Sequence, residues 1–173
     1  MSVIDFDQAV DRRNTSSLKW ERYNDQSVLP MWVADTDFKA PSAITDALTK
    51  RIEHGVFGYT NVPDELNDTI IARMKTLYDW EVEADWIVWL PGLVCALNIA
   101  CRATAPKGTS AMAPTPIYPP FVSAPHLSGL QICQIPMKLE GTRWIMDFEY
   151  LESSITDETK ILLFCNPHNP GGT

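Results

Sequence analysis

Two stretches of the chain carry apolar residues at helical spacing. After Pro41-Ser42, the residues Ile44, Ala47, Leu48 and Ile52 share one face, and Gly55 stands where a left-handed cap would close the helix. Pro63 opens a second stripe, Leu66, Ile70, Met74 and Leu77, which stops near Asp79-Trp80. Elsewhere the apolar residues come in short runs. Residues 86–90, 111–113, 130–135 and 160–165 read as strands. The last of these, Lys160-Ile161-Leu162-Leu163-Phe164-Cys165, is almost wholly apolar, as expected for a strand covered on both faces of a parallel sheet. Between the runs, Pro91-Gly92-Leu93-Val94 turns into a helix through Leu97, Ile99, Ala100 and Ala103. Residues 115–121 form a Pro-rich loop that puts Tyr118 at the mouth of a helix ending near Leu127 and Gly129. Lys107-Gly108 and Glu140-Gly141-Thr142 are turns, and residues 148–155 a short helix. Helices alternating with strands predict an α/β fold with a mainly parallel sheet. Residues 1–30 are polar and irregular.

Composition narrows the class without changing that outline. The 173 residues, 45% apolar and 21% charged, can bury a sizeable core as one domain. A net charge of -8 disfavours nucleic acid and anionic membranes as partners. No apolar run reaches transmembrane length, and residues 1–7 carry acids with no signal-peptide core, so cytoplasm is the expected setting. Cys95, Cys101, Cys133 and Cys165 lie in apolar runs without CxxC spacing and read as buried thiols of a reducing compartment. His54, His126 and His168 are too scattered to suggest a metal site.

Three stretches carry candidate chemistry. A strand, a Gly turn and a helix at residues 86–94 would bring free backbone N–H groups and a positive helix end together, which suits a phosphate, though every such βα unit shares the geometry. Ser16-Ser17-Leu18-Lys19 formally matches the Ser-x-x-Lys pattern of some acyl-enzyme hydrolases, but its companion motifs are missing, and an arm lying over another domain or subunit fits better. The third stretch, Cys165-Asn166-Pro167-His168-Asn169-Pro170-Gly171-Gly172-Thr173, ends a strand with two Asn-Pro pairs. Each Pro removes an N–H and biases the preceding Asn toward extended backbone. The amides of Asn166 and Asn169 are thereby expected at the carboxyl end of a strand, where open α/β sheets bind ligands. Taken alone, the same residues describe an ordinary strand-to-loop turn.

The doubled Asn-Pro resembles the Asn-Pro-x-Asn-Pro-x-Gly segment of fold-type I pyridoxal 5'-phosphate (PLP) enzymes. With Pro91-Gly92-Leu93-Val94 and Thr115-Pro116-Ile117-Tyr118, the chain is similar to the N-terminal part of the aminotransferase class I/II group. More narrowly, it resembles the cystathionine β-lyase (MalY/PatB-type C–S lyase) branch. That match rests on Asp11-Arg12-Arg13, Ser17-Leu18-Lys19-Trp20, Leu29-Pro30-Met31-Trp32-Val33-Ala34-Asp35 with Asp37-Phe38, and Gly55-Val56-Phe57-Gly58-Tyr59.

The resemblance implies a mainly parallel sheet with helices on both faces, incomplete in this chain. Residues 1–55 would be an N-terminal arm and small-domain segment, and residues 56–173 the first part of the large PLP-binding domain, cut at its Asn-Pro motif. It implies that the backbone amides of Leu93 and Val94 hold the phosphate, Tyr118 stacks on the pyridine ring and Asn169 bonds the ring oxygen. Tyr59 would reach the phosphate of a neighbouring subunit in a homodimer with shared sites, and Trp32 and Ala34 would border the substrate carboxylate. Val94 stands where many aminotransferases have a hydroxyl residue. Without the resemblance, Tyr118 is equally a core aromatic, Tyr59 a rim residue, and Leu93 and Val94 plain packing. The ring-nitrogen Asp, the Schiff-base Lys and the carboxylate-binding Arg follow the Asn-Pro motif in this family. They are expected beyond Thr173, leaving the 173 residues alone inactive. The implied reaction is β-elimination from cystathionine or another cysteine conjugate to a thiol, pyruvate and ammonia. An aminotransferase, and a non-catalytic binding or assembly module, are the alternatives.

Overall fold

The computed structural model describes residues 5–172. The reading of residues 1–4, and of Thr173 at the end of the Asn-Pro stretch, lies outside the described residues. The chain forms two compact units, Met1–Val62 and Pro63–Thr173.

Among its described residues the first unit holds one helix, α1 (Ser42–His54). Arg51 complements its carbonyl end, and Gly55 closes it at φ 73°, a left-handed backbone that only glycine adopts without a Cβ penalty. The expected stripe is present, yet Ile44, Leu48 and Ile52 are all exposed. The rest of the unit is irregular and is tied by charge. The Asp37 carboxylate accepts from Lys19 Nζ at 2.7 Å, the Trp20 indole N–H at 2.7 Å and Arg12 at 2.8 Å. Arg12 also pairs with Asp35 at 2.6 Å, and Lys19 donates to the Asp35 carbonyl at 3.0 Å. Lys19 is thereby committed to the acids of residues 35–37, which removes it as a base partner for Ser16. The bond from Lys19, then those from Trp20 and Arg12, hold the Asp37 carboxyl well below the usual carboxylate range.

That depression has a pH consequence. A carboxyl whose folded pKa lies below its ordinary value of 3.8 contributes stability fully present above that pH. The contribution is lost as pH falls below 3.8 toward the folded value. The NMR signal of the Trp20 indole N–H should therefore stay shifted and slow to exchange at pH 5. It should revert to that of a free indole only when acidification carries the pH well below the ordinary carboxyl value of 3.8. In Asp37→Asn the signal should already be altered at pH 7. An indole signal indifferent to both changes would remove Asp37 as the organiser of this unit.

The second unit begins with α2 (Asp64–Tyr78), capped by Pro63 and ended by Asp79 at φ 49°. After α3 (Leu93–Thr104) come β1 (Ser110–Thr115), α4 (Pro120–Leu127), β2 (Gln131–Pro136), β3 (Lys138–Glu140), β4 (Arg143–Ile145), α5 (Phe148–Ser153) and β5 (Thr159–Leu162). Strands β2, β1 and β5 form a parallel sheet in that order, and β3 and β4 an antiparallel hairpin turned at Gly141. The sequence reading identified the turn but not the short strands beside it. Asp147 starts α5 by accepting from the Tyr150 N–H at 3.1 Å, and its pairing with Lys138 pins the helix to the hairpin.

The central strand is built from small residues. Ala111 and Ala113 pack with Cys101 and Ala105 of the α3 segment, Ala124 of α4, Leu130 and Leu163. Met112 and Pro114, on the opposite face, are equally buried. Proline is rare in a central strand because it lacks a ladder donor. Here Ser110 N–H and Met112 C=O bond on the β5 side and Thr115 C=O on the β2 side. Alternation therefore puts the missing donor of Pro114 on the β5 side, past the last registered pair, Met112 with Leu162.

Three expectations are corrected. Residues 86–90 are not a strand: Ala84–Trp86 is a 3₁₀ turn, Ile87 is extended, and Val88 is 76% exposed. Apolar composition supplies the side chains of a strand, whereas the ladder needs a neighbour's N–H and C=O groups, and no described strand lies alongside. Residues 160–165 are not covered on both faces. β5 is an edge strand with Leu162 and Phe164 exposed, while Leu163 alone is buried in the core. Among the four cysteines, all free, only Cys101 is fully buried, and that burial raises its thiol pKa. Cys95 is exposed, and Cys133 and Cys165 are intermediate. Among the described residues no helix is long and apolar enough to cross a membrane.

Candidate functional site

Adjacent parallel strands deliver their carboxyl ends to the same edge of a sheet. β1 runs into the loop 116–119 and β5 into the loop 163–172, so Tyr118 and Asn169 come side by side. The Tyr118 N–H donates to the Asn169 carbonyl at 2.8 Å. The His168 Nε2 lies 2.7 Å from the carbonyl of Pro116, and the Gly172 N–H closes the second loop on the His168 carbonyl at 2.7 Å. The prolyl bonds at Pro116, Pro167 and Pro170 are all cis.

The first turn of α3 faces the same region. At this end the Ala96 N–H donates to the Gly92 carbonyl at 3.0 Å, and no side chain caps the helix. The amides of Leu93, Val94 and Cys95 are left without intrahelical partners, at the positive end of the helix. A cavity of about 700 Å³ opens between these elements. Leu93 and Val94 line it at the helix end, Tyr118 and Phe121 along one side, and residues 161–166 and Asn169 along the other.

Four residues nominated by the sequence, Leu93, Val94, Tyr118 and Asn169, thus line one cavity of the second unit. The remaining three lie in the first unit. Tyr59 is fully exposed. Trp32 has the Arg22 guanidinium 4.5 Å over its ring and its indole N–H 3.4 Å from the Lys19 carbonyl, and Ala34 is exposed beside Asp35. Two contributors were missed by sequence reasoning. Residues 162–164 supply apolar wall, and His168, 5% exposed, links the two loops. The only signal for His168 was a titratable side chain inside a tight Asn-Pro turn.

The donor set fits PLP. Uncapped amides suit a phosphate dianion, an aromatic ring suits a planar heterocycle, and a carboxamide suits a ring oxygen. The cavity volume is in the usual range for a cofactor pocket. Among the described residues no lysine or acid lines it, so the lining residues can bind and orient but offer no reactive amine.

Residues 32–173 match the model of the family described as aminotransferase class I and II. Cystathionine β-lyase PatB of Bacillus subtilis is 37% identical over 98% of this chain and 45% of its own length. The crystal structure of OvoB is 46% identical with a TM-score of 0.91, matching 98% of this chain and 45% of that one. Cystalysin of Treponema denticola, whose crystal structure contains PLP, is 32% identical with a TM-score of 0.91, over 99% of this chain and 45% of its own. The chain spans about half the length of the curated relatives it matches. A family match over most of the residues, on the same α/β framework, leads to one conclusion: the chain belongs to the aminotransferase class I and II family of fold-type I PLP enzymes, and within it is similar to the cystathionine β-lyases.

Proposed function

We propose that these residues form the phosphate and ring cradle of a PLP-dependent C–S β-lyase, acting on cystathionine or a similar cysteine conjugate to release a thiol, pyruvate and ammonia. The observation that carries the proposal is the convergence of Leu93, Val94, Tyr118 and Asn169 on one cavity, in a chain similar to cystathionine β-lyases. When bound, PLP supplies an electron sink for breaking bonds at the amino-acid Cα. The chain's own residues bind and orient. The Leu93 and Val94 amides would receive the phosphate, and Val94, without a hydroxyl, adds no side-chain bond from its position. Tyr118 would cover the ring face, Asn169 would donate to the ring oxygen, and residues 162–164 would supply apolar wall.

In this proposal Trp32 and Ala34 border the substrate carboxylate, Tyr59 serves the neighbouring subunit, and the working unit is a cytoplasmic two-fold homodimer. Residues 56–173 form the first part of its large domain. The reactive amine is none of the seven lysines present, since none lines the cavity. Lys19, Lys75 and Lys138 are moreover held in ion pairs. The 173 residues alone are inactive.

The whole gene product, supplied with PLP, should release thiol and pyruvate from L-cystathionine faster than it transfers an amino group to 2-oxoglutarate. It should sediment as a dimer, and residues 1–173 alone should release no thiol. Efficient amino transfer with negligible thiol would identify an aminotransferase. PLP binding with neither reaction would identify a binding module, and a monomer with full activity would remove the shared site.

A further inference from the structure

The two loops that carry Tyr118 and Asn169 are poor in backbone donors. Pro116 and Pro119 lie in one, with Pro120 opening α4 directly after it, Pro167 and Pro170 lie in the other, and none has an N–H. A ladder of backbone bonds cannot join such segments, so their carbonyls need donors from elsewhere. One backbone bond crosses, from the Tyr118 N–H to the Asn169 carbonyl. The second crossing is a side chain, His168, whose Nε2 meets the Pro116 carbonyl at 2.7 Å across 52 positions of sequence. A carbonyl only accepts, so Nε2 carries the proton in this contact. The imidazole is 5% exposed and held from behind, because Gly171 packs so closely that a Cβ there would sit 2.8 Å from His168 Cδ2 and 3.0 Å from Trp144 Cδ1.

We infer that His168 is a positioning residue, whose Nε2–H donated to the Pro116 carbonyl sets the placement of Tyr118 against Asn169. The two crossing bonds run in opposite senses, His168 to Pro116 and Tyr118 to Asn169, so together they fix both separation and rotation of the loops. The consequence for cofactor binding rests on the PLP reading above, while the consequence for the loops does not.

The test compares three variants of the whole gene product by hydrogen exchange and by PLP affinity. Exchange is readable because the prolines leave few amides in residues 116–121, so a peptide over that stretch reports chiefly on Tyr118 and its neighbours. His168→Leu fills the space without donating and should speed exchange there and weaken PLP binding, each by roughly tenfold, the value of one hydrogen bond. His168→Asn, polar but shorter, should behave like leucine. His168→Gln reaches as far as Nε2 and should restore both readouts to within about threefold of the parent. A space-filling role predicts the reverse order, with leucine at least as good as glutamine. Slow exchange and tight binding in the leucine variant, or a glutamine variant no better than the asparagine one, would overturn the assignment. If the parent itself binds no PLP, the cofactor reading fails, and exchange at residues 116–121 still decides the role of His168.

Discussion

Met112→Ala should destabilise the second unit by about 2–5 kcal/mol, the largest single-residue effect expected here. Met112 is among the largest fully buried side chains and sits at the middle of the central strand. Truncation removes its transfer free energy and leaves a cavity that the neighbouring backbone can close only in part, because β1 is bonded on both sides. The effect should reach the site. The Met112 carbonyl accepts from the Leu163 N–H at 2.8 Å, and Leu163 begins the loop that carries Asn169. Denaturant midpoints should fall at unchanged slope, and PLP affinity should fall with them. Met112→Leu, nearly equal in volume, should cost less than about 1.5 kcal/mol. A leucine variant as damaged as the alanine one would mean that the side chain matters for something other than filling space.

Gly171→Ala comes second and acts on the site directly. A Cβ at this position would lie 2.8 Å from His168 Cδ2, closer than side chains approach, and 3.0 Å from Trp144 Cδ1, tighter than most contacts. The His168 ring cannot yield freely. Cδ2 adjoins the Nε2 that bonds Pro116, so moving the ring out of the way stretches the bond between the loops. Overpacking of this kind costs about 1–3 kcal/mol. Stability and exchange protection at residues 116–121 should therefore fall together, and Trp144 fluorescence should shift. Gly172→Ala meets nothing within 4 Å but sits at φ 71°, so its cost is backbone strain, and Trp144 should be undisturbed. Equal fluorescence changes in both variants would remove the steric explanation.

What the sequence by itself determined was local. The limits of α1, α2 and α3 follow from Pro63, from the glycines at positions 55 and 92 and from spacing of three and four, because a helix bonds within its own segment. The turns at Gly108 and Gly141 were legible for the same reason. The nomination of Leu93, Val94, Tyr118 and Asn169 rested on motifs in which each segment is short and contiguous.

Only the tertiary structure decided the rest. Whether residues 86–90 form a strand depends on a partner's backbone, and no pattern of Trp, Ile and Val supplies one. Covering of Leu162 and Phe164 likewise depends on what packs over β5. Asp35 and Asp37 follow the mostly apolar stretch Leu29-Pro30-Met31-Trp32-Val33-Ala34 in the sequence, yet they collect Arg12, Lys19 and Trp20 from about 20 residues away, contacts that no spacing rule encodes. The contact between His168 and Pro116 spans 52 positions. It exists because parallel pairing of β1 with β5 carries both loops to one edge, and that pairing is a property of the folded sheet.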